Sequence, residues 1–185
     1  MEQIPTELVG PVLIEPARFG DARGLFAESF RQATLADRFG ITADFVQDNH
    51  SRSVRGVLRG MHFQPEPPAA KLIRCARGAI FDVLVDIRPG SETFGRWEGY
   101  VLDDENLRML YAPVGFAHGF CVVSDVADVI YKQTAYCAAE ADQGFAPDDP
   151  ELGIEWPIPP GECVLSERDR VAPPFADIAA ALGPA

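Results

Sequence analysis

The chain has 185 residues, 47% of them apolar, and a formal charge of −12 at pH 7. That is enough for one domain, residues 1–185, with a full hydrophobic core and a C-terminal tail over 171–185. No run approaches the roughly 18 apolar residues of a membrane span, and the acidic balance argues against general nucleic-acid binding.

The opening Met1-Glu2-Gln3-Ile4-Pro5 lacks the basic, apolar and small-residue order of a signal peptide, so a soluble, cytoplasmic protein is expected. Cys75, Cys121, Cys137 and Cys163 are too widely spaced for a zinc knuckle or a disulfide framework.

In chain order, Pro11 to Glu15 reads as a first strand. Phe19 to Gly24 carries glycine and aspartate turn chemistry, and Leu25 to Phe30 a short strand. Leu35 and Phe39, four apart, predict a helix over 33–39 stopped by Gly40. Thereafter the pattern is β. Phe45 to Gln47 leads into Asp48 to Ser51, and Arg55 to Phe63 forms a strand. The three prolines of Gln64 to Ala70 make a loop.

Lys71 to Ala76 and Ala79 to Ile87 predict a hairpin through Arg77-Gly78. In its second arm Phe81, Val83, Val85 and Ile87 alternate with Asp82, Leu84 and Asp86, the period of a half-buried strand. Short strands follow at Trp97 to Leu102, Arg108 to Ala112, Gly119 to Val123 and Val126 to Thr134. The proline-rich stretch Asp148 to Pro174 predicts a wrapping segment, and Ala176 to Leu182 a terminal helix. Many short strands separated by turns imply a mainly β sandwich or barrel.

One stretch concentrates chemistry: Arg59-Gly60-Met61-His62-Phe63-Gln64, with Lys71 nine residues after the histidine. His62 is one of three histidines and a candidate general base. Around it, from residue 50 to 78, six cations (Arg52, Arg55, Arg59, Lys71, Arg74 and Arg77) stand against one anion, Glu66. A positive cluster on an acidic body suits a small anionic ligand such as a diphosphate.

Pro113-Val114-Gly115-Phe116-Ala117-His118 resembles the second motif of the cupin superfamily, a double-stranded β-helix or jelly roll, which places Gly60-x-His62 at the first motif. A metal-binding cupin carries a second histidine where this chain has Gln64. Two histidines fall short of the three or four ligands a metal wants, so no metal is expected. A cupin metalloenzyme using His62 and His118 stands as an alternative.

An ordered set of further pieces resembles the dTDP-4-dehydrorhamnose 3,5-epimerase family. They are Phe19-x-Asp21-x-Arg23-Gly24-x-Phe26-x-Glu28, Gln47-Asp48-Asn49-His50-Ser51-x-Ser53, Arg59 to Gln64, Lys71 to Cys75, Phe81-Asp82-Val83-x-Val85-Asp86-x-Arg88, Gly115 to Phe120, Tyr131-Lys132, Asp149-Pro150, Ile154-x-Trp156-Pro157 and Leu165-Ser166-x-x-Asp169.

The resemblance implies a cupin jelly roll with short peripheral helices, usually a homodimer, acting without metal or cofactor on a nucleoside-diphosphate 4-keto sugar. It further implies His62 as base, Asp169 as its carboxylate partner, Tyr131 as proton donor and Lys71 as the cation near the sugar. Arg59, Gln47, Asn49, His118, Asp142 and Arg168 become binding residues. Arg23 and Glu28 reach the nucleotide, often across the dimer interface.

Taken singly, these residues have structural alternatives. Asp169 can cap a turn, Tyr131 can be a core aromatic, Arg23 and Glu28 can form a surface pair, and His118 can support the fold. The chain departs from the pattern at Cys137, where the family carries an aromatic that stacks on the thymine. This departure bears on the nucleobase. The expected reaction is inversion at C3 and C5 of a dTDP-4-keto-6-deoxyhexose, with inversion at one carbon of another sugar nucleotide as the alternative.

Overall fold

Strand-forming runs separated by turn residues assemble into two antiparallel sheets in the computed structural model, which describes residues 1–137 and 141–183. The described strands are β1 (Glu2–Ile4), β2 (Val12–Glu15), β3 (Arg18–Asp21), β4 (Gly24–Ala27), β5 (Gln47–Val54), β6 (Leu58–Phe63), β7 (Lys71–Arg77), β8 (Ala79–Asp86), β9 (Trp97–Asp103), β10 (Met109–Ala112), β11 (Phe116–Val122), β12 (Val126–Gln133) and β13 (Gln143–Gly144). One sheet runs β1-β2-β10-β7-β12-β5 and the other β13-β6-β11-β8-β9, while β3 and β4 form a separate hairpin.

Between the sheets Ile73, Leu110 and Val129 meet Leu84, Tyr100 and Phe120. The outer faces are covered too. Helix α1 (Gln32–Phe39) lays Leu35 over Ile14, Leu72 and Met109. On the other side Phe145, Trp156 and Phe175 of the C-terminal segment cover Met61, Val83 and Val85. Burial of both faces of both sheets removes the largest apolar surfaces from water, the dominant favourable term in folding.

Helix α1 ends as the pattern predicts. Gly40 takes the left-handed conformation (φ 68°) and its N–H reaches the carbonyls of Ala36 and Leu35. No helix among the described residues is long and apolar enough to cross a membrane.

Four expectations change. Residues 71–87 are not a hairpin: β7 belongs to one sheet and β8 to the other. Gly78 (φ 75°) makes that corner, where an added Cβ would lie 2.1 Å from the Val126 carbonyl oxygen and local signals alone read as a two-strand turn. β8 is not half-buried, because Asp82 and Asp86 are fully buried along with their apolar neighbours. The Phe19 to Gly24 turn shrinks to its last residues, since Arg18 to Asp21 pair with Gly24 to Ala27. The wrapping segment carries a 3₁₀ turn (Pro160–Glu162) and a short helix, α2 (Glu167–Arg170), ahead of the expected terminal helix α3 (Phe175–Leu182).

Candidate active site

A cavity of about 510 Å³ takes Arg59 and His62 from β6, Lys71 from β7, His118 and Phe120 from β11, Tyr131 from β12, and Arg168 and Asp169 from α2. At its centre an imidazole meets a carboxylate. His62 Nε2 lies 2.6 Å from Asp169 Oδ1, which leaves Nδ1 as the ring nitrogen free to take a proton.

The local sequence explains how Asp169 arrives there. Ser166 caps α2, its Oγ accepting the Asp169 N–H at 3.1 Å, and α2 packs on β6. Burial works to raise the Asp169 carboxyl. The His62 contact and bonds from Ser166 and the Gly60 amide outweigh it and hold the group below its usual range.

His118 is the cross-strand partner of His62. The strands approach closely because Gly60 (φ 131°) faces Gly119: a Cβ on Gly60 would lie 2.5 Å from the Gly119 Cα. There the register shifts between His118 and Phe120. His118 Nε2 stands 2.8 Å from Asp82 Oδ2, and both side chains are buried. Burial raises the Asp82 carboxyl against the opposing pull of His118 and Lys71. Its Oδ1 has no hydrogen-bond partner among the described residues.

Lys71 Nζ lies 6.0 Å from the centroid of the Tyr131 ring. Withdrawal from water lowers the Lys71 ammonium from its ordinary 10.5, opposed by Asp142 and Asp82. Burial, with Cys137 and Asp142 adding to it and Arg59 opposing, raises the Tyr131 phenol.

The other predicted residues divide. Arg168 lines the cavity and holds Asp142 through Oδ2 at 2.7 Å and its carbonyl at 2.8 Å. Gln47 and Asn49 do not line the cavity and are engaged with protein. Gln47 Nε2 donates to Asn49 Oδ1 (2.9 Å), Asn49 Nδ2 donates to Gln133 Oε1 (2.6 Å), and Gln47 Oε1 accepts the Cys137 N–H (2.8 Å). They brace the chain that leaves β12.

Arg23 and Glu28 lie outside the cavity and do not pair with each other. Arg23, with a side chain 90% exposed, binds Asp21, and Glu28 binds Arg31. The cationic cluster also disperses. Arg59 and Lys71 reach the cavity, whereas Arg52 binds Asp128 and Arg55 binds the Val123 carbonyl.

Two contributors escaped the sequence reading. Asp82 had a signal, a carboxylate inside an apolar strand, which is rarely buried without a partner. Ser166 had another, the S-x-x-D order that begins a capped helix.

Two facing sheets that enclose a cavity lined by a His–Asp pair, a tyrosine and a lysine define a cupin-type jelly roll. The sequence profile of dTDP-4-dehydrorhamnose 3,5-epimerase matches residues 5–177. The dTDP-4-dehydrorhamnose 3,5-epimerase of Shigella flexneri is 47% identical over 178 residues, 96% of this chain and 97% of that protein. Among solved structures, dTDP-6-deoxy-D-glucose-3,5-epimerase from Legionella pneumophila Philadelphia 1, in complex with dTDP-4-keto-L-rhamnose, superposes with a TM-score of 0.94 at 45% identity, covering 99% of this chain and 97% of that one. A 3'-monoepimerase from Streptomyces bikiniensis, in complex with dTDP-quinovose, gives 0.89 at 38% identity, covering 97% and 91%. The chain belongs to the dTDP-4-dehydrorhamnose 3,5-epimerase family.

The sequence contains just two lysines, Lys71 and Lys132, so a Lys132→Arg protein has one lysine resonance. Its ¹⁵Nζ titration is expected to show a midpoint below the ordinary 10.5. An unshifted midpoint would mean that water, not protein, surrounds the ammonium.

Proposed function

We propose that the chain is a dTDP-4-dehydrorhamnose 3,5-epimerase that inverts C3 and C5 of a dTDP-4-keto-6-deoxyhexose. The observation that carries this reading is the 2.6 Å His62–Asp169 contact in the cavity that also holds Lys71 and Tyr131. The C4 ketone acidifies the C–H bonds at C3 and C5, because loss of either proton gives an enolate on O4. His62 Nδ1 takes the proton while Asp169 stabilises the resulting imidazolium. Lys71 supplies positive charge at the developing oxyanion, where preorganised groups in a dry site act most strongly. Tyr131, kept protonated by burial, returns a proton to the opposite face.

Arg59 and Arg168 suit the diphosphate, and His118 and Asp142 complete the binding set. Gln47 and Asn49 act through the segment they brace. These transfers use side chains alone, without metal or cofactor. A second reading, inversion at one carbon only, draws support from the similarity to the monoepimerase.

We also infer a homodimer working in the cytoplasm, each chain acting as one domain. The β3–β4 hairpin presents Phe19 (64% exposed) and Phe26 (70%) beside Arg23, an apolar arm suited to a second copy whose cavity Arg23 and Glu28 would then enter. Sedimentation at the dimer mass is expected, and a monomer would remove this assignment.

Incubation with dTDP-4-keto-6-deoxyglucose in deuterated water, followed by NMR, is expected to place deuterium at C3 and C5. His62→Ala should abolish both while dTDP binding survives. Label at C3 or C5 alone supports the second reading, and no label at either carbon in the wild type would refute the epimerase reading. At the departing position, Cys137→Tyr is expected to tighten dTDP binding by roughly 1–3 kcal/mol, the worth of a base–aromatic stack. Unchanged affinity by calorimetry would show that the base is held elsewhere.

A further inference from the structure

Beneath the cavity lies a carboxylate that the proposed reaction has not used. Asp82 is fully buried on β8. One oxygen holds His118 Nε2 at 2.8 Å, and the other has no partner among the described residues. Nearly all buried polar atoms are partnered, so an open carboxylate oxygen under a cationic site calls for a role.

The groups acting on Lys71 indicate one. The charged groups whose fields reach it are Asp142, Asp82 and Arg168, together with the Cys137 thiol. Tyr131 faces it across 6.0 Å, and Arg59, His62 and His118 share its cavity. Asp142 has the strongest field of the anions, but it is bound to Arg168 by two contacts, and the Arg168 charge acts on Lys71 in the opposite sense. Arg168, the weakest of these influences, offsets only part of it. Among the described residues Asp82 is bound by His118 and by no arginine or lysine, so no guanidinium or ammonium bound to it offsets its charge at Lys71.

We propose that Asp82 is a positioning residue for the epimerisation: its buried carboxylate keeps Lys71 an ammonium above the sugar carbonyl while it fixes the ring of His118. The inference rests on the proposed role of Lys71 at the enolate. A desolvated amine sheds its proton readily, and a neutral Lys71 would offer the O4 oxyanion no positive charge. Asp82 and Lys71 then titrate as a coupled pair, each favouring the charged form of the other. The ion pair of Asp82 is with His118, not with Lys71, which leaves the ammonium free to face the sugar.

The test starts without substrate. In the single-lysine protein, Asp82→Asn preserves shape and an acceptor for His118, and is expected to lower the Lys71 ¹⁵Nζ midpoint by about one pH unit, a tenfold change in its proton equilibrium. An unmoved midpoint in Asp82→Asn would overturn the proposal.

If Asp82→Asn does not fold, the reciprocal measurement serves. In Lys71→Met the ¹³C-labelled Asp82 carboxyl should titrate at higher pH than in the wild type, and no change would be fatal.

With dTDP-4-keto-6-deoxyglucose, Asp82→Asn is expected to lower kcat by about 10²-fold with little change in KM, as for the loss of one oxyanion partner, and to shift the alkaline limb of the pH–rate profile downward. A fall in kcat with an unmoved limb would mark a merely structural role. A wild type that labels neither C3 nor C5 would refute the function while leaving the Lys71–Asp82 coupling to be judged by titration alone.

Discussion

The contact between His62 and Asp169 joins residues 107 positions apart, and much of the molecule is arranged to make it. β6 carries the histidine, but no carboxylate of its own sheet is bonded to its ring. The partner comes from a single helical turn near the end of the chain. That turn is too short to be stable by itself. It is held by the Ser166 cap, by packing on β6 and by the apolar cover of Phe145, Trp156 and Phe175 over the outer face of the sheet. The C-terminal segment thus completes the hydrophobic core and supplies the carboxylate that meets the His62 ring. The two roles are linked, because the same burial that excludes water shortens the list of partners left to Asp169.

The sequence exposes those parts of the site whose chemistry is local. His62 and Lys71 stood out by residue type, Tyr131 and Asp169 were named through the family resemblance, and all four line one cavity. The double-layered β architecture followed from turns and short apolar runs. What could not be read depends on pairing. No periodicity tells that the chain changes sheets at Gly78, because a hairpin and a sheet corner use the same turn residues. The alternation around Asp82 looked amphipathic because a buried carboxylate and a solvent-facing one are the same letter; only the position of His118 across the sheet distinguishes them. Gln47 and Asn49 show the reverse case. Their amides matched a binding motif, yet in the folded chain they bond to each other, to Gln133 and to the Cys137 backbone, so their effect on a ligand passes through the segment they hold. Arg23 and Glu28 lie beyond what one chain can resolve, since their neighbours within it are only Asp21 and Arg31.

The cavity also shows how environment divides two chemically identical pairs. His62–Asp169 and His118–Asp82 each join an imidazole Nε2 to a carboxylate, and the two histidines face each other across β6 and β11. Asp169 accepts further hydrogen bonds and sits below its ordinary range, so its charge is available to stabilise an imidazolium. Asp82 has one oxygen unpaired and sits above its ordinary range. Its charge is therefore sensitive to its neighbours, and His118 and, after it, Lys71 both favour the charged form. Environments that push like groups apart are how one site assigns different tasks to them. Here the divergence follows from accessibility. His62 is 26% exposed, against 7% for His118, and on the proposed mechanism the first pair exchanges protons with the ligand while the second sets the field in which that exchange occurs.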